Sequence, residues 1–379
     1  MSFITIKKET IKGSILFLLV ILISFLSGKQ FLQMHKEDII LQGPGISNKV
    51  KLSFYFPLLK GTPGDTDVYV FKGKEEGGNL LVLGGTHPNE PAGFLTAIIL
   101  IENIHVDKGK VFIIPQANHS GFTHNDPHEG NPQRFPIQTP EGIRWFRYGS
   151  RLTNPVHQWP DPVLYVNPSG QKLSGAESRN LNRCYPGKAD GNLTERIAFG
   201  ITNLIKKEQI DLAIDLHEAA PEYPVINAIV FHENSAELAA LAYMELQMEG
   251  FEFRLEASPK NLRGLSHREW GDTTEVKAIL LESANASHGR LKGKPSTALI
   301  IDGKDKNYVK ASRIGRLFVP FDEKGIPLKV RVGRHVAAIK AFLSNIQEVE
   351  LGKGIDITNF PSAREIIEHG TGIYLKPAK

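Results

Sequence analysis

Short apolar runs that alternate with helix-like stretches restrict the fold of this sequence more than any other feature. Asn79–Gly85 is a leucine- and valine-rich run that ends in two glycines, and Pro91–Ile104 follows it with helical composition and a proline in its first turn. This alternation predicts an α/β fold with a largely parallel sheet covered by helices on both faces, in which ligands bind at the carboxyl ends of the strands. Further strands are predicted at 110–115, 210–216, 227–231 and 278–282, and further helices at 193–207, 235–249, 330–343 and 362–369.

The amino terminus has the pattern of an export signal. Lys7, Lys8 and Lys12 precede the apolar run Ser14–Leu26, which is shorter than the ~20 residues that usually span a bilayer. Residues 1–28 are therefore predicted to be a signal peptide or an uncleaved signal anchor, and the pattern leaves open whether the run is removed. The protein is expected to be exported, to the periplasm or another extracytoplasmic space, and to meet a membrane only through this segment.

The charge of the chain gives no indication of a nucleic-acid partner. Its net charge is +4, but residues 1–30 hold four lysines against one glutamate, which is +3 of that total. The rest of the chain is close to neutral and has no basic patch for a polyanion. Cys184 is the only cysteine, so a disulfide scaffold and a cysteine-based metal site are both excluded.

Composition divides the remaining chain into four parts. A polar stretch with glycine and proline, residues 29–64, is predicted to be a tether with an edge strand at Lys51–Phe56. The main domain is predicted at 65–350, and the tail at 351–379. An insert at 120–179 interrupts the alternation with prolines, glycines and histidines, and long excursions of this kind inside a compact domain are usually functional.

Polar side chains with metal-binding chemistry follow two of the predicted strands. His87 and Glu90 come directly after the first strong strand, and His217 ends the strand that begins at Ile210. Each is more often a structural residue when it occurs alone, but strand ends at one edge of a sheet bring such residues together. Zinc accepts imidazole and carboxylate ligands, and three protein ligands with a fourth position open are typical of a catalytic site. The sequence therefore predicts one zinc ion per chain on these three residues.

Two further features add chemistry for hydrolysis. Glu282 ends another buried strand, where its carboxylate can pass a proton from water to a leaving amine. Asn182 and Arg183 form an amide and guanidinium pair in a turn-rich segment, and such a pair can bind a substrate carboxylate. No G-x-S-x-G sequence is present, which disfavours a serine hydrolase.

In their order and spacing, these residues resemble the zinc carboxypeptidase superfamily. The series His87-x-x-Glu90, Leu181-Asn182-Arg183, Asp215-Leu-His217 and Glu282 is most similar to the branch of succinylglutamate desuccinylase and aspartoacylase, over about residues 65–290. The resemblance implies a mixed sheet of the eight-stranded type flanked by helices, zinc on His87, Glu90 and His217, Glu282 as general base and acid, and Asn182 with Arg183 as a carboxylate clamp.

The resemblance also implies an arginine that stabilises the oxyanion. Arg147 follows Trp145-Phe146 in a position similar to that arginine, and Arg151 is a close rival. Five other histidines lie in predicted loops, where each is expected to be a polar loop residue even if it borders the cleft: His119, His124, His128, His157 and His267.

The predicted activity is zinc-dependent hydrolysis of an amide bond next to a carboxylate. The substrate would be a small molecule or a peptide with a free carboxylate, such as an N-acyl amino acid. Export favours the alternative of a metallocarboxypeptidase that acts on peptides, including those of a cell wall. A non-catalytic binding module on the same fold is a third hypothesis, although it leaves Glu282 unexplained.

Overall fold

A computed structural model of the chain describes residues 7–126 and 129–377. The chain divides into two units, Met1–Asp38 and Ile39–Lys379. The first unit contains one helix, α1 (Lys8–Gln33), which is exposed along its described length. Its 26 residues and apolar composition are sufficient to cross a membrane, and signal sequences share these properties. The helix is twice as long as the apolar run Ser14–Leu26 because flanking polar residues at both ends also adopt helical structure.

The second unit is built on one large mixed sheet. The strands of the described chain, including two separate hairpins, are β1 (Asn48–Lys51), β2 (Asp67–Lys72), β3 (Glu75–Leu83), β4 (His105–Ile114), β5 (Arg134–Thr139), β6 (Gly142–Arg147), β7 (Leu164–Val166), β8 (Lys172–Ser174), β9 (Leu212–Ala219), β10 (Ala228–Phe231), β11 (Arg254–Ala257), β12 (Lys277–Ala284) and β13 (Asp356–Thr358). The strands of the large sheet lie in the order β1-β2-β4-β3-β9-β12-β10-β11, and β13 pairs with β4.

The prediction of a mixed sheet flanked by helices is confirmed, with nine strands in place of eight. The four central strands β4, β3, β9 and β12 are parallel, while β2, β10 and β13 join them in the antiparallel direction. The helices of this unit are α2 (Pro91–Asn103), α3 (Leu193–Lys207), α4 (Ala236–Met248), α5 (Ser266–Thr273), α6 (Thr297–Asp302), α7 (Lys306–Arg313), α8 (Leu328–Val349) and α9 (Ala363–His369).

Two hydrophobic layers cover the sheet, as the period of two in a strand requires. Along β3, Leu80 and Val82 pack against one layer, while Leu81 and Leu83 pack against the other. The first layer contains the apolar faces of α2, α4 and α8, and the second contains those of α3 and α5. Because both faces are covered, the middle of each central strand is mostly apolar, and polar residues such as His217 and Glu282 lie towards the strand ends.

Three segments differ from their predicted structure. The edge strand predicted at Lys51–Phe56 lies earlier, at β1, because the chain turns into a short 3-10 helix at Leu52–Phe54. The insert 120–179 is more regular than predicted, since β5 pairs with β6 and β7 with β8. In the segment 351–379, β13 joins the main sheet and Leu375 is buried.

Candidate metal centre and cleft

Three parallel strand ends bring the predicted site together. In the pairing of β9 with β12, His217 lies opposite Glu282, and the last residue of β3, Leu83, lies opposite Asp215. His87 and Glu90 are in the turn between β3 and α2, next to β9. The sheet therefore collects at one edge side chains that are up to 195 positions apart in the sequence (282 minus 87).

A close approach at Gly93 holds the start of α2 against β9. A Cβ atom at this position would lie 2.5 Å from the carbonyl oxygen of Leu216, so any larger residue would push the helix away from the strand. Glu90 immediately precedes this helix as its N-cap residue. The absence of a side chain at Gly93 thus allows Glu90 to reach His217.

The three candidate ligands converge through specific atoms. His87 Nδ1 lies 2.7 Å from Glu90 Oε1, and His217 Nδ1 lies 3.0 Å from Glu90 Oε2. The two Nδ1 atoms are 3.1 Å apart, and all three side chains are buried. Nitrogen and oxygen ligands at about 2.0–2.1 Å from a tetrahedral zinc ion lie about 3.3 Å from one another. The spacing of the donor atoms therefore fits a small cation, and among the described residues these three form the group that could hold a metal ion, called the metal-binding group below.

The outer nitrogen of each histidine has a partner that sets the orientation of the ring. His87 Nε2 lies 2.9 Å from Asn180 Oδ1, and His217 Nε2 lies 2.9 Å from Asp215 Oδ2. Asp215 also accepts hydrogen bonds from the hydroxyls of Thr86 and Ser266. Partners of this kind fix the tautomer of a metal ligand and point its other nitrogen at the ion. Neither Asn180 nor Asp215 has a role in the sequence-based prediction, although the position of Asp215 two residues before His217 indicates a shared strand face.

The two histidines differ in charge. Burial, with a contribution from Arg151, lowers the pKa of His87 to about 3. Burial also acts against the charged form of His217, but the Asp215 and Glu90 carboxylates outweigh it and raise the pKa to about 10. His87 is therefore neutral near pH 7, while His217 carries a proton that a metal ion must displace.

A cavity of about 330 Å³ opens over these ligands. It contains every predicted site residue except Arg147. Polar and apolar residues both line it. The polar residues include His87, Glu90, Arg151, Asn182, Arg183, His217, His267, Glu282 and His288, and the apolar residues include Val225, Val230, Pro259, Leu262, Leu265 and Leu280.

Glu282 faces this cavity as an incompletely paired carboxylic acid. Its Oε2 atom is buried without a hydrogen-bond partner in the described structure. Burial raises the pKa of Glu282 to about 8, the nearby charge of His217 lowers it, and that of Glu90 raises it. A carboxyl group with a pKa near the working pH can both accept and donate a proton, which suits the role that the sequence predicts.

Asn182 and Arg183 also line this cavity. The backbone N–H of Ser266 donates to Asn182 Oδ1 at 2.8 Å, and Arg183 Nη1 donates to the carbonyl oxygen of Asn182 at 2.6 Å. These bonds fix the orientation of the amide and direct the guanidinium alongside it. The pair is placed to meet a carboxylate that enters the cavity.

The oxyanion arginine is the one predicted residue that the structure places elsewhere. Arg147 is fully buried, with its guanidinium over the Phe122 ring and Nη2 at 3.4 Å from Gln116 Oε1. It does not line the cavity. Arg151, the alternative candidate, lines the cavity, and its Nη1 donates to Glu90 Oε1 at 3.0 Å. Arg147 is the last residue of β6, where it points into the core, whereas Arg151 lies in the loop beyond that strand.

Two further histidines, His267 and His288, line the cavity but are not candidate metal ligands. His267 is buried, and neither ring nitrogen has a hydrogen-bond partner among the described residues. His288, which sequence analysis missed, lies with Nε2 3.4 Å from Arg151 Nη1. Of the other histidines, His119, His124 and His157 are not among the residues that line the cavity, and His128 lies outside the described residues.

A family model supports the resemblance that the sequence suggested. Residues 163–292 match the model described as the succinylglutamate desuccinylase/aspartoacylase catalytic domain. This segment contains Asn182, Arg183, His217 and Glu282, and it begins after His87 and Glu90. Curated protein sequences show no match to the chain.

Solved structures with a similar fold are distant in sequence. A metallo-carboxypeptidase from Burkholderia cenocepacia is 12% identical, with a TM-score of 0.47 over 82% of this chain and 67% of that one. The cell shape determinant protein Csd4 from Helicobacter pylori is 14% identical, with a TM-score of 0.45 over 80% of this chain and 59% of that one. A succinylglutamate desuccinylase from Silicibacter sp. TM1040 is 15% identical, with a TM-score of 0.37 over 57% of this chain and 53% of that one. The chain thus spans little more than half the length of the last two proteins, and similarities this distant concern the fold alone.

Proposed function

We propose that this chain, whose residues 163–292 match the succinylglutamate desuccinylase/aspartoacylase catalytic domain, is a zinc-dependent hydrolase of an amide bond next to a carboxylate. The observation that carries the proposal is the common cavity. One space holds the converging donor atoms of His87, Glu90 and His217, the carboxyl group of Glu282 and the guanidinium of Arg183. A metal-binding group, a proton carrier and a carboxylate-binding group in one cleft are the parts that this reaction needs.

Zinc is the metal that best fits these residues. Two imidazole nitrogens and one carboxylate are a ligand set found in catalytic zinc sites, and the distances between the donor atoms suit its tetrahedral geometry. When bound, zinc supplies polarisation of the scissile carbonyl and activation of the attacking water. The outer partners Asn180 and Asp215 keep both Nδ1 atoms directed at the ion.

The remaining steps belong to residues of the chain. Asn182 and Arg183 bind the substrate carboxylate and hold the adjacent amide bond over the ligands. Glu282 accepts a proton from the attacking water and delivers it to the nitrogen of the leaving amine. Arg151 donates hydrogen bonds to the oxygen on which negative charge develops. In the resting protein the guanidinium of Arg151 is held near that position by Glu90 and His288.

Replacement of Arg151 should therefore affect catalysis more than replacement of Arg147. Loss of a donor to the developing oxyanion costs about 10²–10³-fold in kcat. We expect Arg151→Ala to lose this much activity while it folds normally, since its side chain is one-third exposed. Arg147→Ala should lower the thermal stability because a buried side chain is removed. Parallel measurements of kcat and melting temperature check this. A larger loss of kcat in folded Arg147→Ala than in Arg151→Ala would instead support Arg147 as the oxyanion arginine.

Part of the cavity lining is apolar and includes Val225, Val230 and Leu280. An apolar side chain next to the free carboxylate of a peptide would bury surface there. A metallocarboxypeptidase that acts on peptides is therefore the second candidate function, and the predicted export of the chain supports it because peptides are found outside the cytoplasm.

A substrate panel tests the proposal. The wild-type protein with zinc is incubated with N-acyl amino acids, peptides with a free C-terminus and the same peptides with an amidated C-terminus. Hydrolysis of the first two groups but not the third is expected, because Arg183 requires a carboxylate. Cleavage of amidated peptides at an equal rate would contradict the carboxylate clamp. Zinc binding without hydrolysis across the panel would favour the non-catalytic binding module.

We also infer that α1 directs export of the protein. Its length and hydropathy suit either a signal sequence or an anchor, with the lysines at its start on the cytoplasmic side. The unit that starts at Ile39 would then act outside the cytoplasm. Mass spectrometry of the protein from the membrane and soluble fractions distinguishes the two, because a cleaved signal removes the apolar run and an anchor retains it.

A further inference from the structure

Behind the metal-binding group lies a fully buried ion pair that reaches it from the carboxyl-terminal part of the chain. Arg331 on α8 and Glu218 at the end of β9 are both 0% exposed, and Arg331 Nη1 lies 2.6 Å from Glu218 Oε1. A second nitrogen of Arg331 donates to the carbonyl oxygen of Ile300. The guanidinium is therefore fixed at two points. It lies outside the segment 163–292 that matches the family model.

Glu218 contacts the candidate ligands from two directions. It follows His217 directly, and its backbone N–H donates to Glu90 Oε2 at 3.0 Å. Its side-chain Oε2 accepts a hydrogen bond at 2.8 Å from the N–H of Ala92, in the first turn of α2. One residue thus ties strand β9, which carries His217, to the helix that Glu90 caps.

The charge of Arg331 is needed for this arrangement. The carboxylates of Glu218 and Glu90 are both buried, and they repel when both are ionised. Without the guanidinium, the charge of Glu218 would be buried and uncompensated, which proteins relieve by rearrangement. A rearrangement of Glu218 loosens its contact with α2 and shifts Glu90 relative to His217.

We propose that Arg331 is a positioning residue for the metal centre, which acts through Glu218 to hold Glu90 and His217 at binding distance. This inference rests on the proposed function, because it concerns the same metal. Helix α8, which lies beyond the matched family segment, would thus help to build the site.

The chain contains a matched control for a test. Arg144 and Glu102 form another buried pair, with Arg144 Nη1 at 2.8 Å from Glu102 Oε2, and both side chains are at most 3% exposed. Glu102 lies about three turns along α2 from Glu90. Arg331→Met and Arg144→Met therefore each break one buried ion pair, but only the first pair touches the ligand residues.

The experiment measures the affinity of the folded full-length variants for zinc alone, by competition with a chromophoric chelator. We expect Arg331→Met to bind zinc about 10–100-fold more weakly than the wild type, as does loss of an outer partner at other metal sites, and Arg144→Met to stay within about threefold. Arg331→Lys keeps the charge and should retain more affinity than Arg331→Met. If Arg331→Met does not fold, Arg331→Lys is compared with Arg144→Lys by the same criterion.

Equal weakening in the Arg331 and Arg144 variants would overturn the inference, because it would reveal a general loss of stability. Unchanged zinc affinity in folded Arg331→Met would also overturn it. A wild-type protein that binds no zinc would instead refute the proposed function itself, so the two failures are distinguishable.

Discussion

His217→Ala is expected to abolish zinc binding and, with it, hydrolysis. His217 Nδ1 lies 3.0 Å from Glu90 Oε2 and 3.1 Å from His87 Nδ1, and no other described side chain is in the metal-binding group to replace it. Wild-type protein should gain about 2.7 kcal/mol of unfolding free energy at a zinc concentration 100 times Kd, and the variant should gain none. Thermal denaturation with and without zinc measures this difference, and metal analysis of the purified protein confirms it.

His267→Gln is the matched control for this result. His267 is also buried and lines the same cavity, but it is not in the group of candidate ligands. The control should keep its thermal response to zinc. A response of His217→Ala equal to that of the wild type would remove His217 from the site.

His217 also makes zinc binding dependent on pH. With a pKa of about 10, His217 is protonated at neutral pH in the metal-free protein, so the ion must displace this proton. The apparent zinc affinity should therefore rise with pH, by up to tenfold per unit while the pH is below that pKa. Titrations in buffers of different ionisation enthalpy would detect the released proton, and an affinity that falls between pH 6 and 8 would contradict the assignment.

Glu282→Gln is expected to retain zinc and lose about 10³-fold in kcat. The amide keeps the shape of the side chain but cannot accept a proton from water, and general acid–base catalysis contributes about 10²–10⁴-fold. Glu282 is not one of the three converging ligands, so metal content should remain about one ion per chain. Steady-state kinetics on the best substrate of the panel, together with metal analysis of the same sample, separates the two effects.

Glu256→Gln provides the comparison, since Glu256 lies on β11 and does not line the cavity. It should behave as the wild type in both measurements. Full activity in zinc-loaded Glu282→Gln would show that another group carries the proton. Loss of zinc from this variant would mean that Glu282 contributes to the metal site.

The parts of the site that the sequence predicted lie at the ends of strands. Apolar runs identify buried parallel strands, and the carboxyl ends of such strands meet at one edge of a sheet. His87, Glu90, His217 and Glu282 follow or end strands β3, β9 and β12, so their proximity was predictable without knowledge of the loops. The parallel centre of the sheet follows from the same alternation, whereas the mixed sheet was implied by the resemblance.

The parts that sequence analysis missed depend on loops and on packing between distant segments. Arg147 and Arg151 are four residues apart, and only the end of β6 decides which of them enters the core. Asn180 and His288 contact the candidate ligands from loops, and Arg331 contacts Glu218 from α8, so their placement is set by tertiary contacts. No periodic pattern in the chain reports such contacts, so their roles required the structure.

The missing side chain at Gly93 has a consequence for the recognition of related sequences. A chain with His87, Glu90 and His217 in place but a bulky residue at 93 would contain the complete ligand signature and lack the geometry to use it, because α2 could not approach Leu216. Such a chain would be classed with metalloenzymes by its motif although its ligands stayed apart. A signature that demands glycine three positions after the glutamate would separate the two kinds of sequence.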